Sequence, residues 1–161
     1  MSQIPNQYRS YATTALRTSI PCGIIGNFSS AADVAGIVAS WAPYLISVAD
    51  DNLIELDLKG ATKICSSVAL GAAGYYAGCK VATKLFTWLG IATAGLTTVV
   101  GCGISALQNV IFTYYFCCAV NEIMEGSNVQ DLSKIAPAVI RVFAHFTAGD
   151  LGDIVALLIN R

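Results

Sequence analysis

Between Lys84 and Glu122 the chain carries no charged side chain, and this run constrains the fold more than any other feature. A stretch of that length without charge either crosses a bilayer once or supplies two short buried helices. Gly90, Gly95, Gly101 and Gly103, with Thr93, Thr97 and Thr98 among them, place a turn within residues 90–103 and make a helical hairpin the expectation. Its return arm, Ile104 to Met124, is apolar nearly all round, with Gln108 and Asn109 as the main polar interruptions. Upstream, Ile64 to Cys79 is also free of charge and reads as the helix that enters the hairpin.

Composition sharpens the point. Of 161 residues, 55% are hydrophobic and 12% charged, against about 25% charged in ordinary soluble domains. With a mean hydropathy of +0.64, polar side chains are too few to cover a compact globule, so apolar surface is expected to face lipid, a partner or a second copy. The net charge is −1, and no basic stretch interleaved with aromatics marks a nucleic-acid groove. The six cysteines, Cys22, Cys65, Cys79, Cys102, Cys117 and Cys118, sit scattered in apolar runs. Without a signal-peptide pattern they read as buried thiols rather than disulfides.

Punctuation by glycine and proline divides the chain into helical lengths and predicts no sheet. The fold class is all-α, a helical bundle with a central Gly/Ala-rich apolar hairpin, in one domain spanning residues 1–161. The core hairpin covers about residues 61–124, and amphipathic helices flank it at about 7–48 and 130–160. Within the first flank, Gln7 to Ile20 forms a helix that Pro21 ends, and turn residues fill 21–28. Ser29 or Ser30 then caps a helix running to about Val48, bent at Pro43 and closed by Asp50, Asp51 and Asn52. Further turns fall at 50–55 and 125–129. In the second flank, Pro137 demands a late start or a kink in the helix of residues 130–146, and a last helix covers Asp150 to Arg161.

Three glycines in one helix weaken it unless close packing compensates, by about 1 kcal/mol each relative to alanine. Gly71, Gly74 and Gly78 therefore predict a face that another helix approaches, and the Gly101 and Gly103 region is the expected partner. On the return arm, Leu107, Ile111 and Phe116 belong to an apolar strip that something must cover: lipid, where they would point outward, a second copy of the chain, or the other helices of a compact monomer. Trp88, Tyr114 and Tyr115 are the membrane-interface candidates, with Lys80 and Lys84 beside Trp88 marking a cytoplasmic boundary.

Five pieces of the chain carry a resemblance: PCGIIGNFSSAAD at Pro21–Asp33, ELDLK at Glu55–Lys59, GAAGYYAG at Gly71–Gly78, TTVVGCGISA at Thr97–Ala106, and Asn121-Glu122 closing the long helix. In this order they resemble the DUF697 family of bacterial helical domains, which is associated with Era-like GTPases and inner-membrane proteins. The resemblance covers about residues 20–125. It implies a helical, membrane-associated module and a separate GTPase as partner, because the chain itself has no GxxxxGK[ST] loop.

No catalytic constellation is legible. His145, Asp150, Asp153, Asp50, Asp51, Glu55 and Asp57 form no recognisable acid–base set, and His145 reads as a packed or interfacial residue. The acidic residues Asp50 to Asp57 lack the spacing of an EF-hand and read as a solvated connection. Ser66 and Ser67 lack a GxSxG setting. No metal site or cofactor is expected. The sequence thus points to a non-catalytic interaction or assembly module on the cytoplasmic side of a membrane. The alternative is a soluble, cytoplasmic protein that forms a homo-oligomer through its apolar helices.

Overall fold

The computed structural model describes residues 4–26, 30–77, 98–125, 134–143, 145 and 147–159. Among these there is no strand, and the fold is an all-α bundle. After a short 3-10 turn at Asn6–Tyr8, the helices are α1 (Arg9–Gly26), α2 (Ser30–Asp51), α3 (Leu58–Ala77), α4 (Thr98–Glu125), α5 (Ile135–Phe143) and α6 (Ala148–Ile159).

The bundle is organised around α4. Every residue from Asn109 to Asn121 is buried, which follows from a helix that has no polar face to turn toward water. Helices α1, α2, α5 and α6 all pack against it, while α3 packs on α2 and α5. Side chains from all six helices join one continuous core, from Ile4 to Leu157. The apolar strip is therefore inside: Ile111 and Phe116 are fully buried and Leu107 is half-buried. Of the three expected covers for these residues, lipid, a second copy or the chain's own helices, it is the chain's own helices that supply it.

The hairpin expectation also shifts in detail. Residues 98–103, assigned to a turn, are the first turns of α4, so the return arm begins before Ile104. Glycine and threonine only weaken a helix, and continuity with a long packed helix overrides that preference. Gly71 is exposed, and among the described residues nothing beyond its own helix backbone lies within 4 Å of where its Cβ would stand, so none of them makes the close approach expected there. Surroundings of Gly74, Gly101 and Gly103, and all of Gly78, lie outside the described residues.

Both internal prolines are carried inside helices. Pro21 does not end α1, which runs on to Gly26. Proline frees the carbonyl four residues earlier, here that of Arg17, and both residues are on the exposed side of α1. The same holds for Pro43 and Ala39 in α2. Pro137 falls in the first turn of α5, where a missing N–H costs no helical bond. The expected late start is thus what the chain adopts.

The connection from α2 to α3 is built from the acidic cluster. Leu53 N–H donates to Asp50 O at 3.0 Å and Ile54 N–H to Ala49 O at 2.9 Å, the paired bonds of a Schellman motif, with Leu53 at the left-handed position. Asn52 Nδ2 donates to Val48 O and to the Tyr8 hydroxyl, which ties the turn to the start of α1. Asp57 then caps α3, its Oδ1 accepting Gly60 N–H at 2.8 Å. The expected caps at Ser29 and Ser30 lie outside the described side chains.

Candidate functional site

Two polar seams cross the apolar core, and both belong to α4. Residues four apart share a helix face, so Asn109, Thr113, Cys117 and Asn121 form one row, all buried. Two aromatic side chains of α2 read this row. Trp41 Nε1 donates to Thr113 Oγ1 at 2.9 Å, and its ring stacks on Phe116 at 4.3 Å between centroids. One turn later the Tyr44 hydroxyl donates to Asn121 Oδ1 at 2.9 Å. Asn121 Nδ2 is buried without a partner, a cost of about 1–3 kcal/mol.

The second seam joins α4 to α6. Asp150, in the first turn of α6, is buried yet ionisable. A single oxygen, Oδ2, accepts Thr147 N–H at 2.7 Å, Thr147 Oγ1–H at 2.8 Å and the Tyr115 hydroxyl at 3.1 Å. The bond from the Thr147 backbone is half of a capping box, and the carboxylate also lies at the favourable end of the helix dipole. Tyr114 donates in parallel to Asp153 Oδ2 at 3.1 Å. At the other end of α6, Thr13 Oγ1 and Arg17 of α1 donate to the carbonyls of Leu157 and Leu158.

Burial governs the titratable groups here. Loss of hydration pushes the Tyr44, Tyr114 and Tyr115 hydroxyls well above the ordinary tyrosine range, with neighbouring thiols and the two aspartates adding to it. The same cause pushes the Cys65 and Cys118 thiols up to about 12 and Cys117 up as well. Thiols held neutral in this way are poor nucleophiles. Among the described residues, no group of three or more His, Cys, Asp or Glu side chains could hold a metal ion.

Tyr114 and Tyr115, read as interface candidates, are instead core residues whose hydroxyls need the aspartates of α6. Trp88, Lys80 and Lys84 lie outside the described residues. His145 is exposed in the turn after α5. Sequence reading missed the part played by Trp41 and Tyr44, although both lie within two residues of Pro43 in the charge-free stretch Val34 to Ala49 of α2. It also missed the capping role of Asp150, for which Thr-Ala-Gly-Asp at 147–150 was the signal.

On the opposite side of the bundle, α2 and α3 enclose an open, mostly apolar groove of about 610 Å³, bordered by Val34, Val38, Ala42, Leu58, Thr62 and Ser66. Leu58 and Leu70 of α3 are both 65% exposed. Among the described residues, no helix is long and apolar enough to cross a membrane. Comparison with protein-family models, curated proteins and solved structures finds no match to the chain.

Proposed function

We propose that the chain is a non-catalytic helical module that works by association with a bilayer, its charge-free segment being the element that meets lipid. One observation carries the reading: α4 has no polar face, and the charge-free run extends beyond it back to Leu85. A helix of this kind is sheathed by protein or by hydrocarbon; four other helices sheathe α4 in this fold, so lipid contact falls first to the charge-free residues 85–97 that precede it and to α4 only when it is uncovered. Lys80 and Lys84 beside Trp88 fit a cytoplasmic membrane surface. The DUF697 resemblance supports the same setting and adds a separate GTPase as a partner.

Vesicle flotation tests this directly. The full chain is mixed with phosphatidylcholine–phosphatidylglycerol vesicles, with and without brominated acyl chains. Co-flotation is expected, together with quenching of tryptophan emission that disappears in Trp88→Phe, since Trp41 lies in the core. Protein left at the bottom of the gradient with unquenched emission discards lipid association.

The second reading, self-assembly, is favoured by the exposure of two large apolar side chains of α3, Leu58 and Leu70. Sedimentation velocity without detergent separates the two. A discrete oligomer that Leu58→Lys with Leu70→Lys dissolves supports assembly, and a monomer at all concentrations discards it.

A further inference from the structure

Helix α6 is anchored differently from the rest of the bundle. Of its twelve residues only Asp150, Ile154 and Leu157 are buried, with Leu151 and Leu158 half-buried against the core, so its apolar hold is limited to four side chains. Its attachment also depends on hydrogen bonds at both ends, donated by Tyr114 and Tyr115 of α4 and by Thr13 and Arg17 of α1. The helix is also weak in its own right. Gly149 and Gly152 both lie within it, yet among the described residues a Cβ at Gly152 would meet nothing within 4 Å, and one at Gly149 would meet only Thr147 Oγ1 at an ordinary 3.5 Å. Neither glycine is demanded by close packing. Each lowers helix stability, and the adjoining turn at His145 is exposed.

Beneath α6 lies the part of α4 that carries Tyr114, Tyr115 and Cys118. Cys118 lies one turn along α4 from Tyr114, on the face that Asp153 of α6 meets, whereas Cys117 belongs to the row whose Thr113 and Asn121 bond to Trp41 and Tyr44 of α2. The adjacent thiols are thus covered by different helices. We propose that α6 is a releasable strap, whose detachment uncovers Tyr114, Tyr115 and Cys118 while α1, α2 and α3 stay in place. Opening of this kind is local, below the free energy of global unfolding. As a route by which the central helix reaches lipid, it rests on the reading of membrane association given above. The strap itself does not.

Site-resolved maleimide labelling of the full-length chain, read by peptide mass spectrometry, tests it. Cys118 is expected to react faster than Cys117 and Cys65, although all three are buried. Tyr115→Phe keeps the ring in the core and removes one donor from a buried carboxylate, so Cys118 labelling should rise about tenfold or more with Cys117 unchanged. Gly152→Ala acts in the opposite direction without loss of any contact, slowing Cys118 by about two- to fivefold. This second variant also keeps the test decisive if Tyr115→Phe fails to fold. Cys117 and Cys118 responding together in Gly152→Ala, or Cys118 not responding, overturns the strap. Vesicle flotation of the same variants separates the two claims. Capture that tracks Cys118 labelling supports both, and labelling that shifts without any change in capture keeps the strap and discards lipid as its recipient.

Discussion

Replacing Leu53 by glycine should stabilise the protein, an unusual outcome for deletion of a large apolar side chain. Leu53 has φ of 59°, the left-handed conformation that closes α2, and it is 95% exposed. For a residue with a Cβ this conformation costs about 1–2 kcal/mol. Exposure means that truncation forfeits no burial. Glycine relieves the strain but frees the unfolded chain, which returns about 0.5–1 kcal/mol. The net gain is about 0.5–1 kcal/mol, or a rise in Tm of about 1–4 °C for a chain of this size. Urea unfolding followed by far-ultraviolet circular dichroism measures it, with the slope m unchanged. Leu53→Ala is the control, because alanine removes the exposed side chain and keeps the strain. An unchanged or lower midpoint for Leu53→Gly, or an equal gain for alanine, refutes the backbone argument.

Asp57→Ala should cost about 1 kcal/mol by uncapping α3, and Asp57→Asn should recover most of it in the same urea assay. Tyr44→Phe and Asn121→Leu should each destabilise by about 1–3 kcal/mol, because each strands a buried polar partner; the double variant, which also removes the orphaned Asn121 Nδ2, should cost less than their sum. Alkaline pH should weaken the fold through the thiols. Cys65 and Cys118 are raised from 9.0 to about 12 in the folded chain, so between these values the unfolded chain releases protons that the folded one keeps. Stability from this source is complete below the lower value and falls above it, on the order of 1.4 kcal/mol per pH unit per thiol. Cys65→Ala should flatten the decline in urea midpoint against pH, and an unaltered slope would sink the assignment.

What the sequence made legible was the work of long-range composition. The charge-free run required a helix with no polar face, and α4 is that helix. The acidic cluster at residues 50–57 correctly marked a connection. Which way α4 faces was not legible, because apolar periodicity carries no information when the helix is apolar on every side. For Leu107, Ile111 and Phe116 the sequence leaves lipid, a second copy and the chain's own helices all open as cover, and only the packing of α1 and α2 on α4 decides. Pro21 misled for a related reason. The cost of proline depends on whether the freed carbonyl meets water, and that depends on tertiary placement. Tyr114 and Tyr115 next to an apolar run look alike whether they meet headgroups or buried carboxylates, and Asp150 and Asp153 lie far along the chain.

A helix that is apolar all round packs almost equally well in any rotation, so hydrophobic burial alone cannot give α4 a single place in the bundle. The two polar seams do. A slip of one residue would rotate the helix by about 100° and move Thr113 and Asn121 away from Trp41 and Tyr44. It would do the same to Tyr115 and Asp150. Each stranded group would cost about 1–3 kcal/mol, enough in combination to exclude the wrong rotations. The polar atoms therefore fix register even where their net contribution to stability is small. Their division between partners has a functional consequence. The seam to α2 is formed by neutral groups and would keep its hydrogen bonds in hydrocarbon, where such bonds hold helices together. The seam to α6 depends on carboxylates, which hydrocarbon does not tolerate unpaired. Transfer of α4 toward lipid would thus retain α2 as its companion and leave α6 behind, the order of release that the strap requires.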